Sequence, residues 1–194
     1  MLKGMPCPLA NRGPEDINFW VVRENNEGEY SEIGGRLHRG TDHEVAIQES
    51  IFTKFGTDRI LRYAFDLCKQ LGLEKVTSAT KSNGIIHTMP YWDERFSVIA
   101  EEYPMLTTDQ YHIDILTANF VLHPDWFDVV VGSNLFGDIL SDLGPSVAGQ
   151  LPLRLQRILI QMETYHLCSV SYTHLRAHET REDRRVRVGG EKKK

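Results

Sequence analysis

This sequence predicts an α/β fold: a largely parallel sheet with flanking helices, incomplete, and carrying a small β arm. Three observations lead there. Two β-rich runs, Ile17-Asn-Phe-Trp-Val-Val22 and Phe127-Asp-Val-Val-Val131, read as buried strands. Between them, Ile60, Leu61, Ala64, Phe65, Leu67 and Cys68 recur at helical spacing. Runs of the two kinds alternate along the chain, the order that builds parallel sheets.

Taken in order, the first run is expected as a central strand ending at Arg23-Glu24. Residues 29–53 carry Gly34-Gly35, Gly40 and an alternation of Val45 and Ile47 with polar neighbours, which predicts short strands and turns forming an arm. Asp58 to Leu71 is predicted helical and stopped by Gly72. Lys75-Val-Thr-Ser-Ala79 predicts a short strand leading to Lys81-Ser-Asn-Gly84. Tyr91 to Tyr103 predicts an amphipathic helix entered after Pro90. Tyr111 to Val121 is expected to combine a polar turn with a helix. The 127–131 strand then passes through Ser133-Asn134 into an acidic helix that Gly144-Pro145 is expected to stop.

Composition narrows the class. A hydrophobic content of 41% and a charged content of 25% suit a soluble globular protein. No apolar run is long enough to cross a bilayer and no secretory signal opens the chain, so no membrane partner and a cytoplasmic location are expected. Cys7, Cys68 and Cys168 are odd in number and widely spaced, which argues against both a disulfide framework and a zinc site.

Charge is unevenly spread. Residues 151–194 hold 10 of the 22 Lys+Arg and 5 of the 27 Asp+Glu, leaving 12 and 22 for residues 1–150. A basic tail of net +5 on an acidic body of net −10 ordinarily suggests nucleic-acid contact. The tail reads differently. Leu151 to Leu167 has no turn signals and no clear period. Permitted codons exist for it whose third-base frame encodes Ala-Ile-Ala-Pro-Ser-Ala-Asn-Ile-Asn-Pro-Asp-Gly-Asn-Leu-Pro-Ser, a plausible loop. Val170-Ser-Tyr-Thr-His-Leu-Arg-Ala-His-Glu-Thr180 looks like a translated sequencing-library adaptor, and Lys192-Lys-Lys194 like a run of adenines. Residues 1–149 are therefore expected to be one unit, and 150–194 a frameshift and adaptor rather than a domain. The His174/His178 pair is discounted as a metal site, and a nucleic-acid partner is not expected.

Chemistry concentrates after the strands, where open α/β sheets place their ligand sites. In Gly132-Ser-Asn-Leu-Phe-Gly-Asp-Ile-Leu-Ser-Asp-Leu-Gly-Pro145, Asp138 and Asp142 stand one helical turn apart, with Cβ atoms roughly 5–6 Å from each other. Two hard oxygen donors at that spacing suit a divalent cation that keeps positions for water and substrate. An exposed acidic helix face is the bland alternative. Arg23, at the end of the first strand, suits a substrate carboxylate, or else an ion pair with Glu24. Lys81 alone would be a solvated lysine, Tyr30 a packing residue and Asp114 a helix cap.

Together these residues resemble a family. Arg23-Glu-Asn-Asn-Glu-Gly-Glu-Tyr30, Ala79-Thr-Lys-Ser-Asn83, His112-Ile-Asp114 and Asn134-Leu-Phe-Gly-Asp-Ile-Leu-Ser-Asp142 resemble the β-decarboxylating dehydrogenases, which act on isocitrate, 3-isopropylmalate, tartrate or D-malate. The resemblance covers residues 1–149 in order, and the hidden third-base peptide is similar to the family's continuation. Gly4-Met-Pro-Cys-Pro-Leu-Ala10, the Glu-Gly-Glu-Tyr-Ser wording and Met89-Pro-Tyr-Trp-Asp-Glu-Arg95 look most like the tartrate/D-malate branch.

The resemblance implies oxidation of a 2-hydroxy acid by hydride transfer to a nicotinamide cofactor, followed by loss of CO₂. It implies Asp114, Asp138 and Asp142 as ligands of Mg²⁺ or Mn²⁺, and Arg23 on the substrate carboxylate. Lys81 is implied as, or relaying to, the base for the hydroxyl proton, and Tyr30 as the acid that protonates the enol. It further implies a homodimer with shared sites, in which the lysine and the first aspartate come from the partner and residues 29–53 form an intersubunit arm. NAD is the branch expectation, with NADP open, and no cofactor-binding residue can be named. Since roughly the first hundred residues of such an enzyme and its C-terminal part are missing, the chain by itself is expected to be inactive. Two rivals remain: a non-catalytic subunit of the same family, against which the intact site residues speak, and an all-helical metal-dependent prenyl transferase, against which the two β-rich runs speak.

Overall fold

The computed structural model describes residues 7–149 together with the backbone of 158–160. Strand β1, Trp20–Arg23, lies between β6, Val129–Gly132, and a short strand β7, Ile158–Ile160. Beyond β6 come β4, Lys75–Thr80, and β5, Thr107–His112, at the edge. All pairings in this sheet are parallel. This bears out the expected sheet and leaves no room for an all-helical fold. Apart from β7, the 150–194 segment lies outside the described residues, and with it the adaptor-like run and the His174/His178 pair.

Two helix pairs flank the sheet. Helix α1, Lys54–Gln70, packs on α2, Thr88–Ala100, and α3, Ile113–Leu122, packs on α4, Asn134–Val147. The apolar stripe predicted for α1 is buried as Ile60, Leu61, Ala64, Phe65 and Cys68. It meets Val22, Val76, Val129 and Val131 in one continuous core that also holds Trp92, Phe96 and Phe120. A strand buried on both faces is apolar on both, which explains the unbroken valine run of β6, whereas β4 buries Thr77, Ser78 and Thr80 as well as Val76 and Ala79. Gly72 stops α1 as expected, at a φ of 65° that suits glycine.

Several element boundaries differ from expectation, each for a local reason. Helix α2 starts at Thr88, so Pro90 sits in its first turn, where a missing N–H costs nothing. The polar stretch expected as a turn before α3 is strand β5, whose residues are exposed or half-buried because it is an edge. Asp114 is not the α3 cap; His112 holds that position and Asp114 lies in the first turn. Helix α4 runs through Gly144-Pro145 to Val147, since a proline in the last turn forfeits one bond without ending the packed face. Residues 29–53 form the expected arm, with β2, Gly34–Leu37, antiparallel to β3, Val45–Gln48. Its Leu37, Val45 and Ile47 are all exposed.

Candidate active site

The candidates lie toward the carboxyl ends of strands: Arg23 as the last residue of β1 with Tyr30 in the loop that follows, Lys81 just past β4, Asp114 after β5, and Asp138 and Asp142 in the helix after β6. They form two groups.

The first group is built on Arg23, which is buried. Its Nε and Nη2 donate to Asn134 Oδ1 at 3.2 and 2.8 Å, and its Nη1 forms an ion pair with Asp138 Oδ1. The side chain can cross α4 only because residue 137 is glycine. A Cβ there would stand 2.5 Å from Arg23 Cγ and 2.6 Å from its Cβ. Tyr30 Oη donates to Asp138 Oδ2 at 3.0 Å, and the Arg23 guanidinium carbon lies 6.0 Å from the Tyr30 ring centre. The Tyr30 phenol is held above its ordinary pKa, first by partial burial, then by its hydrogen bond to Asp138 and that carboxylate's charge. One charged carboxylate thus holds the guanidinium on one oxygen and the phenol on the other. Asp142, one turn further along α4, is exposed and in no ion pair among the described residues.

The second group is an ion pair. Lys81 Nζ lies 2.9 Å from Asp114 Oδ1, and this bond holds the Asp114 carboxyl below its ordinary pKa. Asp114 is not brought to Asp138 and Asp142 within one chain, and no three potential metal ligands gather among the described residues. The donor chemistry nonetheless fits Mg²⁺ or Mn²⁺, whose ligands are carboxylate and water oxygens. One chain supplies two such donors on α4 and a third elsewhere on the sheet edge.

The loop between β1 and the arm contributes residues to which the sequence reading gave no site role; Glu24, weighed there as a partner for Arg23, pairs with Arg59. Glu24 is buried and accepts from the backbone N–H of Asn25 and Asn26 at 3.0 and 2.7 Å, and from Arg59 Nη2 at 3.0 Å. Glu27 accepts from the N–H and hydroxyl of Thr53, both at 2.8 Å, fastening the loop to the start of α1. Glu29 accepts from Ser133 Oγ and Leu135 N, placing a carboxylate at the positive end of α4. Asn134 completes the set, donating from Nδ2 to Glu27 O at 3.2 Å while its Oδ1 holds Arg23. A cluster of three glutamates in six residues was the available signal, but their partners outside the loop lie 26 to 106 residues away.

Residues 2–154 match the family described as isocitrate/isopropylmalate dehydrogenase. D-malate dehydrogenase (decarboxylating) of Escherichia coli is 61% identical over 151 residues, covering 78% of this chain and 42% of that protein. Tartrate dehydrogenase/decarboxylase of Pseudomonas putida is 59% identical over 152 residues, with the same coverage. The crystal structure of isocitrate dehydrogenase from Methylococcus capsulatus superposes with a TM-score of 0.68 at 36% identity, covering 76% of this chain and 42% of that one. The chain spans about two fifths of the length of these relatives. It belongs to the isocitrate/isopropylmalate dehydrogenase family.

Proposed function

We propose that the protein carrying this chain catalyses metal-dependent oxidative decarboxylation of a 2-hydroxy dicarboxylic acid, D-malate or tartrate, passing the hydride to NAD. NADP is the alternative acceptor, and no described residue is assigned to either. The observation that carries this reading is the Arg23–Asp138–Tyr30 arrangement at the carboxyl end of β1. It sets a carboxylate-binding cation, a metal-binding carboxylate and a proton-donating phenol against one another.

Arg23 binds and orients the substrate carboxylate, its fork pre-set by Asn134. Lys81 takes the hydroxyl proton or relays it. Tyr30 returns a proton to the carbon that CO₂ leaves. Asp138 and Asp142 of one chain and Asp114 of a second copy would hold Mg²⁺ or Mn²⁺, which would supply Lewis-acid polarisation of the substrate. Within one chain the Lys81–Asp114 pair stands apart from the other group, which supports a homodimer with shared sites and the 29–53 arm between subunits. The chain alone, with a tail from about Gln150 that derives from a frameshift and adaptor, is inactive; the complete protein is cytoplasmic. Re-sequencing the gene across codon 150 tests the tail.

The function is tested by assaying the complete gene product with NAD and Mn²⁺ on D-malate, tartrate, 3-isopropylmalate and isocitrate. Highest kcat/KM on D-malate or tartrate is expected. A preference for either of the others reassigns the substrate, and activity on none of the four makes this a non-catalytic subunit. Tyr30→Phe should lower kcat by about 10²–10⁴-fold with substrate binding nearly intact. Weak binding with normal turnover would contradict the role of Tyr30.

A further inference from the structure

The loop after β1 touches α4 through a residue for which the proposed chemistry has no task. Glu29 Oε1 accepts from Ser133 Oγ at 2.6 Å and Glu29 Oε2 from Leu135 N at 3.0 Å. Ser133 is the N-cap of α4 and fully buried, yet its side chain makes no capping bond. A serine there ordinarily accepts from the helix's first N–H groups. Here its hydroxyl donates outward, and the capping acceptor is a carboxylate from another part of the chain. That carboxylate belongs to the residue immediately before Tyr30.

Loop and helix are therefore joined in three places along the first turns of α4. Glu29 holds the amide end. Glu27 O accepts from Asn134 Nδ2, whose oxygen holds Arg23. Tyr30 Oη reaches Asp138 one turn further on. Tyr30 is half-exposed and has little packing of its own to define where its phenol points. A rigid, charge-assisted bond one residue upstream supplies the constraint that packing does not.

We propose that Glu29 is a positioning residue that clamps the N-terminus of α4 and thereby fixes the Tyr30 phenol on Asp138. The proposal rests on the reading of Tyr30 as the proton donor. What the clamp requires is an acceptor oxygen carried on a side chain of this length. Glutamine retains one oxygen and can keep one of the two bonds; alanine retains none.

The test uses the complete gene product labelled with ¹³Cζ-tyrosine, the Tyr30 resonance being assigned as the one missing from Tyr30→Phe. In Glu29→Ala the Tyr30 resonance should move toward that of a solvated phenol. Its kcat should fall about 10–100-fold with KM within about threefold of the parent. Glu29→Gln should recover most of both, and Ser133→Ala should fall between. Melting temperatures are measured alongside, so that a variant that fails to fold is recognised and Ser133→Ala then decides. A Tyr30 resonance in Glu29→Ala that coincides with the parent's would overturn the proposal. So would a kcat loss that glutamine does not relieve. If the parent oxidises none of the four acids, the reading of Tyr30 as a proton donor falls, while the resonance still decides whether Glu29 holds the phenol.

Discussion

The two groups of candidate residues differ in how firmly the chain holds them. In the β1–α4 group the Arg23 side chain is 3% exposed and its partner Asp138 24%. Asn134, Asp138 and the absent Cβ of residue 137 fix that arginine from three sides. In the β4–β5 group Lys81 is 28% exposed and Asp114 67%, and one contact joins them. The first is a preorganised arrangement, held by several partners at once. The second is a pair of side chains facing outward, easily parted by a stronger partner, since exposed ion pairs contribute little. The site proposed above would join a firmly held half to a more exposed one.

The sharpest way to break the rigid half is Gly137→Ala. The added methyl collides with Arg23, so kcat/KM should drop more than about 100-fold, and stability should fall by about 1–3 kcal/mol through overpacking. An alanine variant with the parent's melting curve and rate would show that the crossing at residue 137 is not as tight as described. The division into halves is probed by mixing. Lys81→Ala and Tyr30→Phe proteins, each inactive, are unfolded together and refolded as a pair. If the halves come from different subunits, hybrid dimers carry one intact site, and about a quarter of parental activity should return. Mixtures that stay inactive would place both halves in the same subunit. The smallest effect concerns the body beneath both. Burial pushes the Cys68 thiol up to about 11, and burial with a hydrogen bond to Asp66 pushes the Tyr103 phenol up to about 12. Folded-state values above the ordinary ones favour the neutral forms. Their stability is therefore fully present below pH 9 and lost as pH rises through about 11 and 12. Unfolding free energies from urea titration should be flat from pH 7 to 9 and then fall, by at most about 5 kcal/mol in total. A midpoint that holds to pH 12 would contradict the burial of these groups.

Much of this was legible in the sequence, because buried parallel strands and amphipathic helices write their environment into composition. Val129-Val-Val131 and the stripe of α1 are legible for that reason. Strand β5 was not, since Thr107-Thr-Asp-Gln-Tyr-His112 lies at an edge and its residues answer to solvent as much as to the core. Pro145 misled because a proline's penalty depends on how near it stands to the helix end, which one sequence does not state. The family motifs pointed to Arg23, Tyr30, Lys81 and the three aspartates. They did not reveal which of these touch. The supporting residues, Glu29 and Asn134 above all, act through bonds spanning 106 to 111 positions, and such pairings are the product of the fold rather than a signal for it.

The register of the central strands has a consequence for synthesis. Trp20 pairs with Val129 and Arg23 with Gly132, so β1 leaves the ribosome 109 residues ahead of the strand that covers it. At roughly 5–20 residues per second, that is about 5–20 s during which Val21 and Val22 have no β6 to pair with. Arg23 and the loop that carries Tyr30 are therefore made well before the strand and helix they pack against.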